Sequence, residues 1–569
     1  MSTLPEASVP WWTSAVVYQI YPRSFADSNG DGIGDLGGIR SKLDHLAELG
    51  VDVVWLSPVY PSPQHDNGYD ISDYQDIDPL FGSLEEFDLL LAEAHERSIK
   101  IVMDLVVNHT SDEHAWFVES ASGPDSPKRD WYWWRPARPG DPRGSEAEAA
   151  IDAGIEPNGW RSYFSGPAWT RDGSGEYFLH LFAVQQPDLN WENPEVRQAV
   201  YAMMNWWLDR GVDGFRMDVI NLISKRLEQI DGGADADGIV GGVGPRLHEF
   251  LHEMHLAVFA GRDGKYITVG EMPGVTLADA ELVTDPARQE LDMVFQFEHV
   301  GIDHGTDKFH PIPLDLVALK ANLARWQDGL AERGWNSLYL NNHDQPRLVS
   351  RFGDDGAWRY EAATLWATLM HLQRGTPYIY QGEEIGMTNV PFDSIDDFRD
   401  IESINYYAEA IERGEDAAVV LDGLRAQSRD NARTPVQWDG SAHAGFTTGE
   451  PWIPVNPNYS TVNVVADRAS DRSVFDYYRR LIALRHEDET VQLGRFELLE
   501  PEHPTLFAFT RTGADAELLV VGNVSGSPLD VELLELWEDA EVLIGNTAEP
   551  ARSTLGPWEA RVLRRRSGY

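Results

Sequence analysis

The 569-residue sequence contains no cysteine, which excludes disulfide bonds, thiolate nucleophiles and cysteine-based zinc sites. Basic residues are also scarce. The 46 lysines and arginines stand against 93 aspartates and glutamates, which gives a formal net charge of −47. Such a surface repels phosphate backbones and anionic headgroups, so the sequence predicts neither a nucleic-acid partner nor a membrane partner.

Long apolar runs are absent as well, and no stretch of the sequence is long enough and apolar enough to cross a membrane. The opening MSTLPEASVPWW lacks the basic segment followed by an apolar segment that marks a secretory signal. We therefore expect a cytoplasmic protein. Aromatic residues are abundant, with 20 Trp, 20 Tyr and 21 Phe, and their faces pack in cores or stack on sugars.

Apolar runs of strand length recur along the chain, and several are separated by helical patterns, for example at 37–49, 84–98 and 194–210. Near-continuous apolar runs are typical of parallel strands that are buried on both faces. Their repeated alternation with helices predicts an α/β fold, a (β/α)8 TIM barrel. The runs are 14–22, 51–59, 100–109, 214–220, 266–272, 293–299, 337–344 and 376–384.

Three segments do not fit this alternation. One is rich in Trp, Pro, Gly and Asp and predicts an inserted subdomain after the third strand. One is a long insert after the eighth strand, and the last has the short alternating runs of a C-terminal antiparallel β-sandwich. The predicted bounds are 1–109 and 176–486 for the barrel, 110–175 for the subdomain, about 385–470 for the later insert and 487–569 for the C-terminal domain.

Polar residues cluster at the carboxyl ends of the predicted strands. Arg216 and Asp218 lie two positions apart in the fourth strand, so their side chains share one face. The carboxyl ends form the face on which barrel active sites are built. One such residue is more often structural, whereas six at one end are hard to obtain from packing needs. The six are His109, Arg216, Asp218, Glu271, His343 and Asp344.

The three carboxylates of this group suggest carboxylate-driven chemistry. Cleavage of a glycosidic bond with retention needs a carboxylate nucleophile and a protonated carboxylic acid about 5–5.5 Å apart. Arg216 beside Asp218 would favour the ionised form of that carboxylate. Glu271 would have to keep its proton near neutral pH, which burial or a nearby carboxylate can arrange.

Four motifs make the chain similar to the α-amylase family of glycoside hydrolases (family 13), which are α-retaining enzymes. The motifs are VVNH at 106–109, GFRMDV at 214–219, VGEM at 269–272 and NNHD at 341–344. QPDLN at 186–190 and the opening at 11–25 resemble the oligo-1,6-glucosidase and α-glucosidase branch. The resemblance runs essentially end to end.

This resemblance implies roles for the residues at the strand ends. Asp218 would be the nucleophile, Glu271 the acid and base, and Asp344 the stabiliser of an oxocarbenium-like transition state. Arg216 would orient the nucleophile, His109 and His343 would hydrogen-bond hydroxyls of the first sugar, and Gln186 would make a supporting contact behind them.

The same resemblance assigns the far end of the first sugar. Tyr69 would stack on a terminal glucose, Asp70 would bind its far hydroxyls, and Arg429 and Arg433 would reach the same ring. A blocked far end would make the enzyme act from the non-reducing end. Without the resemblance, NGYD is a turn followed by an aromatic residue, and the arginines are surface ion pairs.

Val219 directly follows the expected nucleophile. In the resembling family, valine here accompanies acceptance of α-1,6 linkages, and threonine accompanies α-1,4 or sucrose-type substrates. Valine lacks the threonine hydroxyl, so the polarity of the pocket changes at similar volume. The alternative is an ordinary β-branched strand residue. We expect isomaltose-type substrates.

Residues 27–35, DSNGDGIGD, place oxygen donors at alternate positions, as in the first part of an EF-hand loop. Its twelfth position is Gly38 rather than Glu, so the loop is not a complete EF-hand. The resemblance implies a structural Ca²⁺, and a plain Gly/Asp turn is the alternative. The expected ligands are Asp27, Asn29, Asp31, the Ile33 carbonyl and Asp35, and no organic cofactor is expected.

The leading hypothesis is therefore a retaining, exo-acting α-glucosidase that takes short oligosaccharides through a covalent glucosyl-enzyme. A transglycosylase or sugar isomerase acting on sucrose or maltose through the same intermediate is the alternative. A transporter partner with a decayed site would have lost the carboxylates, which are present. A zinc peptidase would rest on HEFLH at 248–252 alone. The oligomeric state is left open.

Overall fold

Eight parallel strands form one sheet in the computed structural model of the chain, which describes residues 9–137, 156–231, 237–548 and 550–566. β1 pairs with both β2 and β8, and a bridge from Val294 to Asn336 joins the β6 and β7 segments and closes the ring. The predicted barrel is confirmed. Its strands are β1 (Val17–Ile20), β2 (Val53–Leu56), β3 (Lys100–Val106), β4 (Gly214–Asp218), β5 (Ile267–Glu271), β6 (Met293–Phe295), β7 (Ser337–Leu338) and β8 (Thr376–Tyr380).

Alternation along β4 decides which side chains enter the barrel. Phe215 and Met217 pack in the outer core between the sheet and the helices. Arg216 and Asp218 therefore point inward, because successive side chains of a strand lie on opposite faces. Gly214 begins the strand, and a Cβ there would lie 2.0 Å from a backbone carbonyl oxygen of β5. Only glycine allows this close approach of the two strands.

Helices cover the outside of the ring. The helix predicted at 194–210 is Pro194–Arg210, which begins with Asn193 as its N-cap and ends at Gly211 in the left-handed conformation. The pattern at 37–49 forms two short helices rather than one. The helices around the barrel are Leu36–Ser41, Leu43–Leu49, Leu84–Glu96, Pro194–Arg210, Leu247–Val258, Leu277–Thr284, Leu316–Gly329, Arg359–His371 and Val474–Glu487.

The insert after β3 contains two small sheets. Trp134–Arg135, Tyr177–Leu179 and Trp169–Arg171 form an antiparallel sheet, which extends past the expected boundary at residue 175. Gly159–Arg161 pairs with Asp237–Ile239, which lies between β4 and β5, so the insert is tied to a later part of the chain. Residues 138–155 of the predicted subdomain lie outside the described residues.

The insert after β8 brings two helices, Ile401–Glu412 and Ala417–Gln427, which share an apolar cluster that includes Ala410 and Val420. A short helix, Asp430–Arg433, follows them. These segments supply part of the cavity wall described below. Among the residues that the structure describes, no helix is both long and apolar enough to cross a membrane.

The C-terminal part is an antiparallel sheet with two apolar faces. Phe507 and Phe509 belong to the core shared with the barrel helices, while Leu506 and Ala508 face a second cluster with the ribbon of Leu529–Asp530 and Thr554–Leu555. The five strands are β9 (Arg495–Leu499), β10 (Leu506–Thr512), β11 (Ala516–Asn523), β12 (Glu541–Gly545) and β13 (Ala560–Arg566), in the order β9-β10-β11-β13-β12.

Candidate active site

A cavity of about 360 Å³ opens at the carboxyl ends of the barrel strands. Asp218 ends β4, Glu271 ends β5 and Asp344 follows β7, and all three side chains reach the cavity wall. Aromatic faces suited to sugar rings lie between them. The aromatic residues of the wall are Tyr69, Tyr163, Phe164, Phe182 and Phe297.

One buried guanidinium gathers three carboxylates below this wall. Nη1 of Arg216 donates to Oδ1 of Asp218 at 2.6 Å and to Oδ1 of Asp104 at 2.7 Å. Nη2 lies 2.6 Å from Oε1 of Glu271. Because the two terminal nitrogens belong to one planar group, the carboxylates that end β4 and β5 are held close together.

Glu271 is also held by the backbone that follows β4. Its Oε2 accepts a hydrogen bond from the N–H of Val219 at 3.1 Å. Val219 has φ +36° and ψ +40°, in the left-handed region that β-branched residues rarely adopt. The sharp turn at Val219 thus ends the strand and fixes the second oxygen of Glu271.

Burial controls the protonation of this pair. Burial raises the pKa of Glu271 to about 8 against the lowering effect of Arg216, and the charges of Asp218 and Asp344 raise it further. Burial likewise raises the pKa of Asp218 to about 7, although Arg216 lowers it as expected. Glu271 is therefore the group that keeps its proton longer as the pH rises.

The pKa of Asp344 is shifted in the opposite direction. Burial alone would raise its pKa, but His343, Arg429 and Arg433 together hold the pKa well below its usual range. Oδ1 of Asp344 accepts from Arg433 at 2.8 Å and from Arg429 at 3.3 Å. Asp344 therefore stays ionised on the cavity wall beside Asp218 and Glu271, whose pKa values lie near neutrality.

The two predicted arginines differ in position. Arg429 lines the cavity, as expected. Arg433 is fully buried and does not reach the wall, because its Nε donates to the His343 carbonyl and its Nη2 to Asp344. The expectation that Arg433 contacts the sugar is corrected, and it supports Asp344 from behind.

Asp70 also lies outside the cavity. Its carboxylate accepts from Ser62 Oγ at 2.9 Å, from His65 N–H at 2.9 Å and from Asp66 N–H at 3.0 Å, which commits both oxygens to the turn. Asp66 lines the cavity instead, 3.4 Å from Arg429. The aspartate of this turn that faces the cavity is thus Asp66, and contrary to the expectation for Asp70, that residue shapes its loop.

The histidines and Gln186 surround Tyr69. His109 lines the cavity, and burial lowers its pKa to about 4, so its ring is neutral at pH 7. His343 lies just behind the wall, with Nε2 2.7 Å from the Tyr69 hydroxyl and its ring stacked on that tyrosine. Gln186 is fully buried and donates to Asp66 at 3.0 Å. Of these, Tyr69 and His109 face the cavity.

Comparison with known proteins places this geometry in a family. The family model "Alpha amylase, catalytic domain" matches residues 19–494. The chain belongs to the α-amylase family of glycoside hydrolases. An oligo-1,6-glucosidase of Parageobacillus thermoglucosidasius is 53% identical over 570 residues, which cover 97% of this chain and 99% of that protein.

Solved structures of the α-amylase family share the whole fold. A trehalose-6-phosphate hydrolase of Bacillus licheniformis is 45% identical with a TM-score of 0.90, and the match covers 98% of this chain and 100% of that one. A trehalulose synthase of Pseudomonas mesoacidophila MX-45 is 40% identical with a TM-score of 0.88, covering 98% and 99%. Enzymes with different activities therefore share this fold, so the fold alone does not determine the substrate.

Several residues of the cavity wall, and Asp104 beneath it, were not predicted from the sequence. Asp104 sits in the middle of the apolar run 100–109, and a charge in a buried strand is a signal for a paired group. Asp66 carries no local signal that separates it from Asp70. Tyr163, Phe164, His304, Lys308 and Glu402 come from inserts and loops whose position depends on tertiary packing.

In the expected calcium loop, side-chain oxygens accept hydrogen bonds from backbone N–H groups two residues later in the chain. Oδ1 of Asp27 accepts from the N–H of Asn29, Oδ1 of Asn29 from the N–H of Asp31, and Oδ1 of Asp31 from the N–H of Ile33, each at 2.9 Å. Oxygen donors thus alternate along one partly exposed loop, and hard oxygen donors are what Ca²⁺ prefers. These four residues fit the ion by their chemistry.

Asp35, the last predicted ligand, accepts hydrogen bonds from the same loop and from the helix that follows it. Its Oδ1 accepts from Ser28 Oγ at 2.7 Å and from Gly38 N–H at 2.6 Å, and its Oδ2 accepts from Ser28 N–H at 3.1 Å. It is the N-cap of the helix Leu36–Ser41. Across the described ranges, no group of three or more His, Cys, Asp or Glu side chains could hold a metal. The calcium set of Asp27, Asn29, Asp31, the Ile33 carbonyl and Asp35, which includes an amide and a backbone oxygen, stays a prediction.

The HEFLH motif lies on the outer helix Leu247–Val258. His248 Nδ1 lies 2.8 Å from Oε2 of Glu290, and His252 Nδ1 lies 2.9 Å from the carbonyl oxygen of Arg288. The two imidazoles thus have separate partners in the adjoining segment. The motif belongs to a helix surface, and the peptidase alternative loses its only support.

Proposed function

We propose that the chain is a retaining, exo-acting α-glucosidase that releases terminal α-linked glucose from short oligosaccharides, preferentially from α-1,6 bonds. One observation carries the proposal: Arg216 contacts Asp218 and Glu271 at 2.6 Å each, so two carboxyl groups with different pKa values face one cavity. The similarity to the oligo-1,6-glucosidase of P. thermoglucosidasius supports the linkage.

In the first step, the protonated Glu271 donates its proton to the glycosidic oxygen while Asp218 attacks the anomeric carbon. The C–O bond to the leaving sugar breaks, and a covalent glucosyl ester forms on Asp218. Positive charge that develops on the ring is stabilised by the ionised Asp344. Arg216 loses one anionic partner as Asp218 becomes an ester, and it keeps Glu271 and Asp104.

In the second step, Glu271 acts as a base. It removes a proton from water, whose oxygen attacks the anomeric carbon and releases Asp218 as a carboxylate. The contact with Arg216 and the Val219 N–H keep the Glu271 carboxylate in place during both steps. Two displacements at one carbon return the product to the α configuration.

The exposure of the wall supports action on chain ends. Tyr69 and Asp66 are 6% and 4% exposed, whereas the side chains of Lys308 and Glu402 are 20% and 21% exposed. This gradient describes a pocket that is buried at one end and open at the other. A single terminal glucose fits the buried end, with Tyr69 available for stacking.

A substrate panel tests the proposal. We expect kcat/KM to be highest for isomaltose among isomaltose, maltose, sucrose, trehalose and panose. Proton NMR during the first minutes should show α-glucose as the first product. Initial release of β-glucose would disprove retention, and a preference for maltose or sucrose would disprove the linkage.

A transglycosylase or isomerase is the second candidate, and the similarity to the trehalulose synthase favours it. Such an enzyme would pass the glucosyl group from Asp218 to a sugar hydroxyl instead of water. Sucrose at high concentration distinguishes the two. Hydrolysis predicts equal amounts of free glucose and fructose, whereas isomerisation predicts a new disaccharide with little free sugar.

We also propose a structural Ca²⁺ at Asp27, Asn29, Asp31, the Ile33 carbonyl and Asp35, on the donor chemistry of that loop. When bound, the ion would crosslink the loop after β1, and it takes no part in either displacement. The cytoplasmic location stays a prediction from composition.

A further inference from the structure

The charged groups at the open end of the cavity are paired. Nζ of Lys308 donates to Oε2 of Glu402 at 2.6 Å, and both residues line the cavity. Their side chains are 20% and 21% exposed, against 10% for Asp218 and 6% for Glu271. A leaving sugar that extends from the scissile bond toward the opening therefore meets this ion pair.

The other cations of the wall are engaged as well. Within the described residues that line the cavity, Arg429 is the one arginine and Lys308 the one lysine. Arg429 is buried among several carboxylates, so its charge is already compensated. Burial lowers the pKa of His304 and of His109, which leaves both rings neutral at pH 7. The carboxylates that contact Arg429 are Asp66, Asp344, Asp400 and Glu402.

The wall therefore has no uncompensated cation for an anionic substituent. A phosphate group on the leaving sugar carries about −1.5 to −2 charges at pH 7 and requires cationic or N–H donors. Here it would meet Glu402 at the opening and the permanent charge of Asp344 further in. Lys308 could serve it only by leaving Glu402.

We propose that the Glu402–Lys308 pair makes this enzyme select unphosphorylated α-glucosides over phosphorylated ones, with Glu402 as a specificity-determining residue. The inference rests on the proposed function, because it assigns the open end of the cavity to the leaving sugar. A solved trehalose-6-phosphate hydrolase with the same backbone shows that the fold itself does not decide this choice.

Binding of trehalose and trehalose 6-phosphate tests the inference. Calorimetry in an Asp218→Asn background keeps both sugars intact, and constant ionic strength keeps the screening of charges equal. We expect the starting protein to bind trehalose more tightly. Adding Glu402→Gln removes one negative charge at constant shape and frees Lys308, so the affinity ratio should shift toward trehalose 6-phosphate by roughly tenfold.

Two further variants separate a local effect from a general one. Lys308→Met together with Glu402→Gln should cancel the gain, because the released cation is gone. Glu409→Gln makes the same charge change on the same helix, at a side chain that is 36% exposed and paired with Arg413, and should leave the ratio unchanged.

Three results would overturn the inference: tighter binding of trehalose 6-phosphate by the starting protein, an equal shift in Glu402→Gln and Glu409→Gln, or binding of neither sugar. A separate assay, hydrolysis of isomaltose by the wild-type protein, tests the proposed function itself. Melting temperatures of all variants confirm that each one is folded.

Discussion

The backbone N–H of Val219 donates to Oε2 of Glu271 at 3.1 Å from a left-handed conformation. Such a conformation costs a β-branched residue about 1–3 kcal/mol and persists only where the surroundings enforce it. Arg216 holds the other oxygen of the same carboxylate. Strand β4 therefore positions the Glu271 carboxyl group that β5 carries, in addition to presenting its own carboxylate.

The side chain of Val219 is the first test of this arrangement. Val219→Thr keeps the β-branch and adds one hydroxyl to the cavity wall, so we expect the ratio of kcat/KM for isomaltose over maltose to fall roughly tenfold. Val300→Thr makes the same change at another wall position and serves as the control. Equal effects of the two variants would remove Val219 from the control of linkage.

The two carboxylates should differ in their dependence on the leaving group. Glu271→Gln removes the proton donor and should lower kcat for isomaltose by about 10²–10⁴. It should cost less with an aryl glucoside that needs no protonation. Asp218→Asn should abolish turnover of both substrates. Asp292→Asn, at a buried carboxylate that does not line this cavity, is the control, and a substrate-independent loss in Glu271→Gln would contradict its role.

The pH profile follows from the pKa values of the same pair. kcat/KM should rise as Asp218 ionises around a pKa of about 7 and fall as Glu271 loses its proton around a pKa of about 8. The negative charge of Asp104 raises the pKa of Asp218, so Asp104→Asn should move the acid limb to lower pH. An acid limb that stays in place would show that Asp218 does not set it.

Asp66 and Asp70 should separate binding from stability. Burial raises the pKa of Asp66 to about 7, so Asp66→Asn should lower kcat/KM by about tenfold to a hundredfold above that pH, where a charged acceptor worth about 1.5–3 kcal/mol is lost at the cavity wall. Asp70→Asn should reduce the free energy of unfolding by about 1–3 kcal/mol, since an amide has one acceptor oxygen for three donors. Denaturant titration and kinetics on each variant distinguish the two, and exchanged effects would reverse the assignment.

Chelation tests the proposed calcium loop. Removal of the ion should lower the melting temperature by several degrees, because a ligand that binds only the folded state stabilises it. Asp27→Asn should make melting insensitive to chelation. Asp73→Asn is the control, because Oδ1 of Asp73 also accepts a hydrogen bond from the N–H two residues later, and melting of this variant should still respond to chelation. A wild-type melting temperature that chelation leaves unchanged would exclude the ion.

The barrel was predictable because its strands are the densest apolar runs of the chain, but their ends were not. The run 337–344 forms a strand only at Ser337–Leu338, and the chain leaves the ladder before Asp344 reaches the cavity wall. The residues that follow the strands form the rim of the cavity. Strand propensity therefore predicts the middle of a barrel strand better than the residues at its carboxyl end, where the cavity lies.

Only some residues of the cavity wall, and of the layer beneath it, could be predicted from the sequence. Asp104 could have been found, because a carboxylate inside a buried strand requires a partner such as Arg216. Asp66 could not have been found from the sequence, since the geometry of one turn decides which aspartate faces the cavity. Lys308 and Glu402 are 94 residues apart in the chain and meet only after two separate segments have folded over the barrel.

Closure of the ring has a consequence for how the chain is made. β1 pairs with β8, and the N–H of Tyr21 donates to Oε1 of Gln381 across 360 residues. A ribosome that adds roughly 5–20 residues per second needs on the order of tens of seconds to cover that distance. Until then one side of β1 remains an unpaired strand edge, which other chains can join. The pairing of β1 with β8, which completes the ring in the folded chain, therefore forms late in synthesis.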